Sequence, residues 1–127
     1  MVTIAFDKHT GELLWRREAP LVPLEKVHET SSPVASTPCT DGERIYVYFG
    51  SYGLICYDLD GGEVWKRSIP TPRSLYGMST SPIIHEGRLI LVLDNQENLP
   101  DSELSCSKVI ALNKISGESV WETARPF

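Results

Sequence analysis

Side chains for redox, soft-metal and acid–base chemistry are scarce in this chain: three cysteines, two methionines and three histidines among 127 residues. Three cysteines cannot close a set of disulfides, and none has the Cys-x-x-Cys spacing of a zinc or redox site. Basic residues are outnumbered, 12 Lys and Arg against 17 Asp and Glu, and they form no cluster; a net charge of −5 therefore argues against nucleic acid or an anionic membrane as partner. No apolar run is long enough to insert in a membrane, and the opening Met1-Val-Thr-Ile-Ala-Phe-Asp7 lacks the basic start and apolar stretch of a signal peptide. Sustained helical periodicity is missing too, as are Gly-x-Ser-x-Gly, a phosphate loop and a nucleotide fingerprint.

What is present is one pattern, three times over: Ala5-Phe-Asp-Lys-His-Thr-Gly-Glu-Leu-Leu-Trp15, Cys56-Tyr-Asp-Leu-Asp-Gly-Gly-Glu-Val-Trp65 and Ala111-Leu-Asn-Lys-Ile-Ser-Gly-Glu-Ser-Val-Trp121. It contains every tryptophan of the chain, spaced 50 and then 56 residues apart, a period that points to a propeller or another repeat array. A second pattern precedes the later two copies, Ser36-Thr-Pro-Cys through Phe49 aligning without gaps to Thr80-Ser-Pro-Ile through Leu93. Each unit thus reads as four short strands. Tyr, Val, Ile and Leu suit a pleated, half-buried surface, and the Asp-Gly, Gly-Gly and Ser-Gly steps suit tight turns. The fold class is all-β: a partial β-propeller of about two and a half four-stranded antiparallel blades. Cys39 aligns with Ile83, and Cys56 with Ala5 and Ala111, so both are expected as buried small hydrophobes, whereas Cys106 lies in an irregular segment and is expected to be exposed.

The run Ala-x-Asp-x-x-Thr-Gly-x-x-x-Trp from Ala5 to Trp15, with the Ser-Pro start and Gly-Arg-Leu-Ile-Leu-Val, resembles the PQQ-like β-propeller repeat family, which includes propellers of the outer-membrane assembly lipoprotein type. The resemblance covers essentially the whole chain. It implies that each tryptophan docks between neighbouring blades on a motif glycine, with the Asp and Thr tying down the turn. By position this assigns Asp7, Thr10 and Gly11 to Trp15, Asp58 and Gly62 to Trp65, and Asn113, Ser116 and Gly117 to Trp121. The second copy departs from the family by Cys56 for Ala and by one residue fewer between Asp58 and Trp65; the third by Asn113 for Asp and Ser116 for Thr.

A propeller closes with four to eight blades as a rule, so a chain of this length is expected to belong to a larger protein. The expected units are residues 1–18, the outer two strands of an incomplete blade; 19–68, a complete blade; and 69–127, a complete blade with an inserted loop at 94–107. The remaining blades are then its first partners. The resemblance further implies a periplasmic or envelope location, with other envelope proteins as partners.

If strands alternate up and down, the irregular connections Ala19 to Ser32, Pro70 to Ser79 and Asp94 to Ser107 gather at one end of the array. Variable loops on a rigid scaffold are where binding residues sit, which makes His28, Arg73, Tyr76, Asp94 and Asn95 the candidate binding face, alongside Glu29, Gln96, Glu97, Asp101 and Glu103. Asp94 to Glu103 has the composition of a calcium loop, but counting from Asp94 places Leu99 where that loop needs glycine and Ser105 where it needs glutamate. No metal, cofactor or catalytic residue is therefore assigned. Two function classes follow: a non-catalytic binding or scaffold module, and a blade segment of a PQQ-dependent quinoprotein dehydrogenase. The resemblance implies for the latter PQQ with calcium beneath an adjacent-cysteine disulfide, and no Cys-Cys pair occurs here.

Overall fold

The computed structural model describes residues 1–96, 100, 102 and 106–125. These residues form ten strands: β1 (Val2–Phe6), β2 (Leu13–Glu18), β3 (Cys39–Thr40), β4 (Arg44–Phe49), β5 (Gly53–Asp58), β6 (Glu63–Ser68), β7 (Ile83–His85), β8 (Arg88–Leu93), β9 (Lys108–Asn113) and β10 (Ser119–Ala124). They pair antiparallel into a two-stranded sheet β1-β2 and two four-stranded sheets, β3-β4-β5-β6 and β7-β8-β9-β10. This is a partial propeller of about two and a half blades. No helix among the described residues is long and apolar enough to cross a membrane.

Burial explains the strand sequences. In β4, Tyr46 and Tyr48 enter one core with Leu89, Leu91 and Leu112 of the third sheet, while the alternate Val47 and Phe49 enter a second core with Ile55 and Tyr57. The middle sheet is thus covered on both faces, and its central strands read as nearly unbroken apolar runs because neither side of the pleat meets water. The third sheet is covered on one face: Leu89, Leu91 and Leu93 are buried, whereas every residue of β10 is exposed. Each such leucine contributes about 1.5–3 kcal/mol by leaving water.

The last hairpin of each unit repeats one device. Trp15 pairs with Ala5, Trp65 with Cys56 and Trp121 with Ala111, and in each hairpin the register shifts at or beside that pair. The residue opposite the indole is small in all three. Cys56 is fully buried there, and burial pushes its thiol up to about 11. The half-buried Cys39 is likewise pushed up to about 11, first by burial and then by Asp41, whereas Cys106 is exposed.

Candidate functional site

The turn ahead of each tryptophan is built by one side-chain oxygen. Asp7 Oδ1 accepts from the amides of His9 and Thr10 at 2.8 and 2.9 Å, and Asp58 Oδ1 from those of Asp60 and Gly62 at 3.0 and 2.7 Å. Asn113 Oδ1 does the same for Ile115 and Ser116 at 2.8 and 3.2 Å, an Asx turn in which the amide oxygen replaces the carboxylate. Thr10 Oγ1 and Ser116 Oγ accept from the amides of Glu12 and Glu118. The Asp7 carboxyl lies below its usual value because the Thr10 and His9 amides favour its anion.

The positional assignment of each tryptophan to its own copy's glycine is corrected. A Cβ on Gly11 would meet nothing within 4 Å; Trp15 instead covers Gly61, where a Cβ would lie 2.6 Å from its Cδ2. Trp65 likewise covers Gly117, at 2.7 Å from its Cε3, so Gly117 serves Trp65 and not Trp121. The indole projects from the outer strand across to the next sheet, and hence meets the following copy's turn. Gly61 rather than Gly62 takes the contact because the shortened turn brings φ of +81° one residue earlier; a Cβ on Gly62 would meet only Asp58.

Two further bonds complete each joint. Trp15 Nε1 donates to the Leu59 carbonyl at 2.9 Å and Trp65 Nε1 to the Lys114 carbonyl at 3.0 Å. Arg17 and Arg67, each two residues after its tryptophan, donate to the carbonyls of Gly61 and Gly117 at 2.6 and 2.9 Å. The arginines escaped sequence reading, although Trp-x-Arg recurs in two of three copies; Thr123 stands at the third position.

Lys114 also crosses between sheets, its Nζ lying 2.6 Å from Asp41 Oδ2, an oxygen that accepts from the Tyr46 hydroxyl at 3.1 Å as well. With its side chain 11% exposed, Asp41 is held well below the ordinary 3.8, chiefly by Lys114 and, against the cost of burial, by the amides of Arg44 and Glu43. A depressed carboxyl stabilises the fold fully above the unfolded value and loses that contribution as pH falls toward the folded value. Asp41→Asn is therefore expected to cost more stability at about pH 6 than at about pH 2. Thermal melts of both proteins check this, and a pH-independent difference would remove the ion pair from the account.

At the loop end, the structure brings the candidate binding residues together. The His28 amide donates to the Leu75 carbonyl at 3.0 Å, and the His28 ring lies 5.4 Å from that of Tyr76. The Arg73 amide donates to Asn95 Oδ1 at 2.7 Å, the Gln96 amide returns a bond to the Arg73 carbonyl at 2.9 Å, and the Leu75 amide bonds to Gln96 Oε1. The Asn95 amide donates to Ser107 Oγ at 3.0 Å, and Asp94 is ion-paired with Arg125. His28 Nδ1 bonds to Thr30 Oγ1 at 2.8 Å rather than to Glu29. Glu97, Asp101 and Glu103 lie outside the described residues.

Between these loops lies an open cleft of about 480 Å³, walled by Pro23, Leu24 and Lys26 on one side and by Thr71–Leu75 with Gln96 on the other. Glu25 closes its floor. The Glu25 amide donates to Ser51 Oγ at 2.9 Å, its Oε2 accepts from the Met78 amide at 3.2 Å, and its Oε1 rests against Gly50. Burial pushes this carboxyl up, opposed by the Met78 amide and the Ser51 hydroxyl. Glu25 Oε1 and the buried Tyr48 hydroxyl have no hydrogen-bond partner among the described residues, and burial followed by the Glu25 charge raises the Tyr48 phenol. Glu25 was missed because a lone glutamate in an irregular connection carries no pattern; only the fold shows what it covers.

The cleft does not fit PQQ. A flat, multiply anionic quinone needs ring-stacking surfaces as well as cations or a metal; Lys26 and Arg73 lie in the walls, but among the described residues no aromatic ring lines them, and Glu25 adds a carboxylate. Among the described residues no group of three or more His, Cys, Asp or Glu is placed to hold a metal ion.

Strands, joints and loop end together define a PQQ-like β-propeller protein. The sequence-family model described as "Outer membrane protein assembly factor BamB" matches residues 2–107, and the chain belongs to this family. Among solved structures, quinohemoprotein alcohol dehydrogenase from Comamonas testosteroni matches with TM-score 0.63 at 19% identity, over 97% of this chain and 18% of that one. BamB from Moraxella catarrhalis matches with TM-score 0.51 at 14% identity, over 96% of this chain and 46% of that one. The chain therefore spans less than half of either protein, and at these identities the likeness is one of fold. No curated protein matches the chain.

Proposed function

We propose that this chain is a non-catalytic β-propeller segment that serves as a binding or scaffold module within a larger, exported envelope protein. The observation that carries the reading is the loop cleft, where the Asn95 and Gln96 side chains secure the 73–75 backbone and Glu25 secures Met78. The cleft walls also carry Pro23, Leu24, Lys26, Pro72 and Leu75, an apolar surface with a cationic edge. That surface suits a protein segment better than a reacting centre, where polar groups must converge on substrate. Membership of a family described as an outer membrane protein assembly factor supports a periplasmic or envelope location and partners among envelope proteins. The remaining blades of the propeller are the other partners. The units 1–18, 19–68 and 69–127 are proposed as its blade boundaries.

The alternative, a blade segment of a PQQ-dependent quinoprotein dehydrogenase, rests on the fold shared with quinohemoprotein alcohol dehydrogenase. Titration with PQQ and calcium, followed by cofactor absorbance and by dye reduction with simple alcohols, separates the two. No saturable change is expected. Binding tighter than about 10 μM, near −7 kcal/mol, would overturn the scaffold reading. In the parent protein, Lys26→Glu with Leu24→Asp is expected to lower the amount of outer-membrane protein assembled in cells while leaving the thermal melt in place. Unchanged assembly would remove the cleft from the function.

A further inference from the structure

The strap that crosses the cleft floor hangs on one residue. Between the bond from the Ala19 amide to the Met1 carbonyl and that from the His28 amide to the Leu75 carbonyl, the only hydrogen bonds of residues 20–27 among the described residues are those of Glu25. We propose that this strap is a proton-operated latch: with a proton on Glu25 it stays seated over the joint between the middle and third sheets, and when the proton leaves it lifts and opens the floor of the cleft.

The seat is built for an uncharged group. A Cβ on Gly50 would run into Glu25 Oε1 and one on Gly77 into Val27 Cγ1, so the two glycines are the hollows into which the strap fits. Glu25 Oε1 is enclosed by this chain's own atoms, out of reach of water or of a further blade, and accepts no hydrogen bond among the described residues. The Tyr48 phenol, 1% exposed and equally unpartnered, feels the Glu25 charge and offers it no bond. A carboxylate with one oxygen enclosed and unbonded is costly, and such a group takes up a proton or moves to water. Burial accordingly raises this carboxyl above its ordinary 4.5, by more than the Met78 amide and the Ser51 hydroxyl lower it. Lys26 and His28 flank Glu25 on the strap and Arg73 lines the facing wall, but burial and the two neutral donors govern its titration.

The direction of the switch follows. A carboxyl whose value is higher in the seated strap than in the lifted one favours the seat fully below the ordinary value, and that preference is lost as pH rises toward the seated value. The latch therefore closes in acid and opens as pH rises. Lifting adds Gly50, Tyr48 and the buried Met78 to the surface of the cleft, whatever the cleft binds.

Hydrogen exchange of the parent protein between about pH 4 and pH 8, followed by mass spectrometry and corrected for the intrinsic rate, tests the latch at the strap amides and at Met78. Protection is expected to fall as pH rises, by up to about tenfold per pH unit for a single linked proton. Glu25→Gln, uncharged at every pH and still able to accept from the Met78 amide, is expected to stay protected throughout, and Glu25→Ala to be unprotected throughout. His28→Gln is expected to keep the wild-type response. Wild-type protection that is constant or rises with pH would overturn the latch, as would a Glu25→Gln protein that titrates like the wild type, a Glu25→Ala strap that stays protected, or a response that disappears in His28→Gln.

Discussion

Replacing Trp65 by alanine is expected to cost the protein about 3–5 kcal/mol, the usual range for removing a large core aromatic. The indole lies over Gly117, donates to the Lys114 carbonyl at 3.0 Å and stands 6.1 Å from the Tyr46 ring, so its loss opens a void and strips one bond between the second and third sheets. The second and third sheets share no strand ladder among the described residues, so no backbone pairing across the joint compensates. Denaturant melts of the wild type and the variant measure the difference. A loss below about 1 kcal/mol would show that the sheets hold together without the joint. Trp121→Ala is expected to cost much less, since that ring is 39% exposed and covers no glycine among the described residues.

The second large effect is expected from Gly117→Val. At φ of +74° any side chain is strained, and here the Cβ would also lie 2.7 Å from Trp65, so the indole must leave its seat. Gly11→Val has the same φ and open space above it, so it reports the backbone strain alone, about 1–3 kcal/mol. The 117 variant should lose that amount and much of the Trp65 contribution as well, about 4 kcal/mol or more. Comparing the two melts isolates the steric part. Equal losses would mean that the indole moves aside freely, and the docking would then carry little energy.

Much of this architecture is legible in the sequence, for reasons of locality. Alternating Tyr, Val, Leu and Ile set the strands, and the Asx turns at Asp7, Asp58 and Asn113 set the hairpins, because both depend on neighbours a few residues away. The small residue opposite each tryptophan is likewise readable from the repeat. What each tryptophan covers is not, since that depends on the offset between stacked sheets; the shift from Gly62 to Gly61 shows that one deleted residue in a turn is enough to move the contact. The loop end divides in the same way. The gathering of His28, Arg73, Tyr76 and Asn95 at one end follows from strand parity, whereas Glu25 acquires its meaning only from Gly50, Ser51 and Met78 beneath it.

Among the described residues, only the middle sheet has a core on each side, and this sets the order in which these sheets come apart. Sheets in such an array are coupled to their nearest neighbours, so an opening that starts at β10 or β1 sacrifices one core and leaves the other standing. Only the loss of β4 and β5 dissolves both. Opening at either outer sheet therefore leaves one core intact, while opening around Ile55 gives up both at once, and the same short segment that anchors the array is the last to give its amide protons to water.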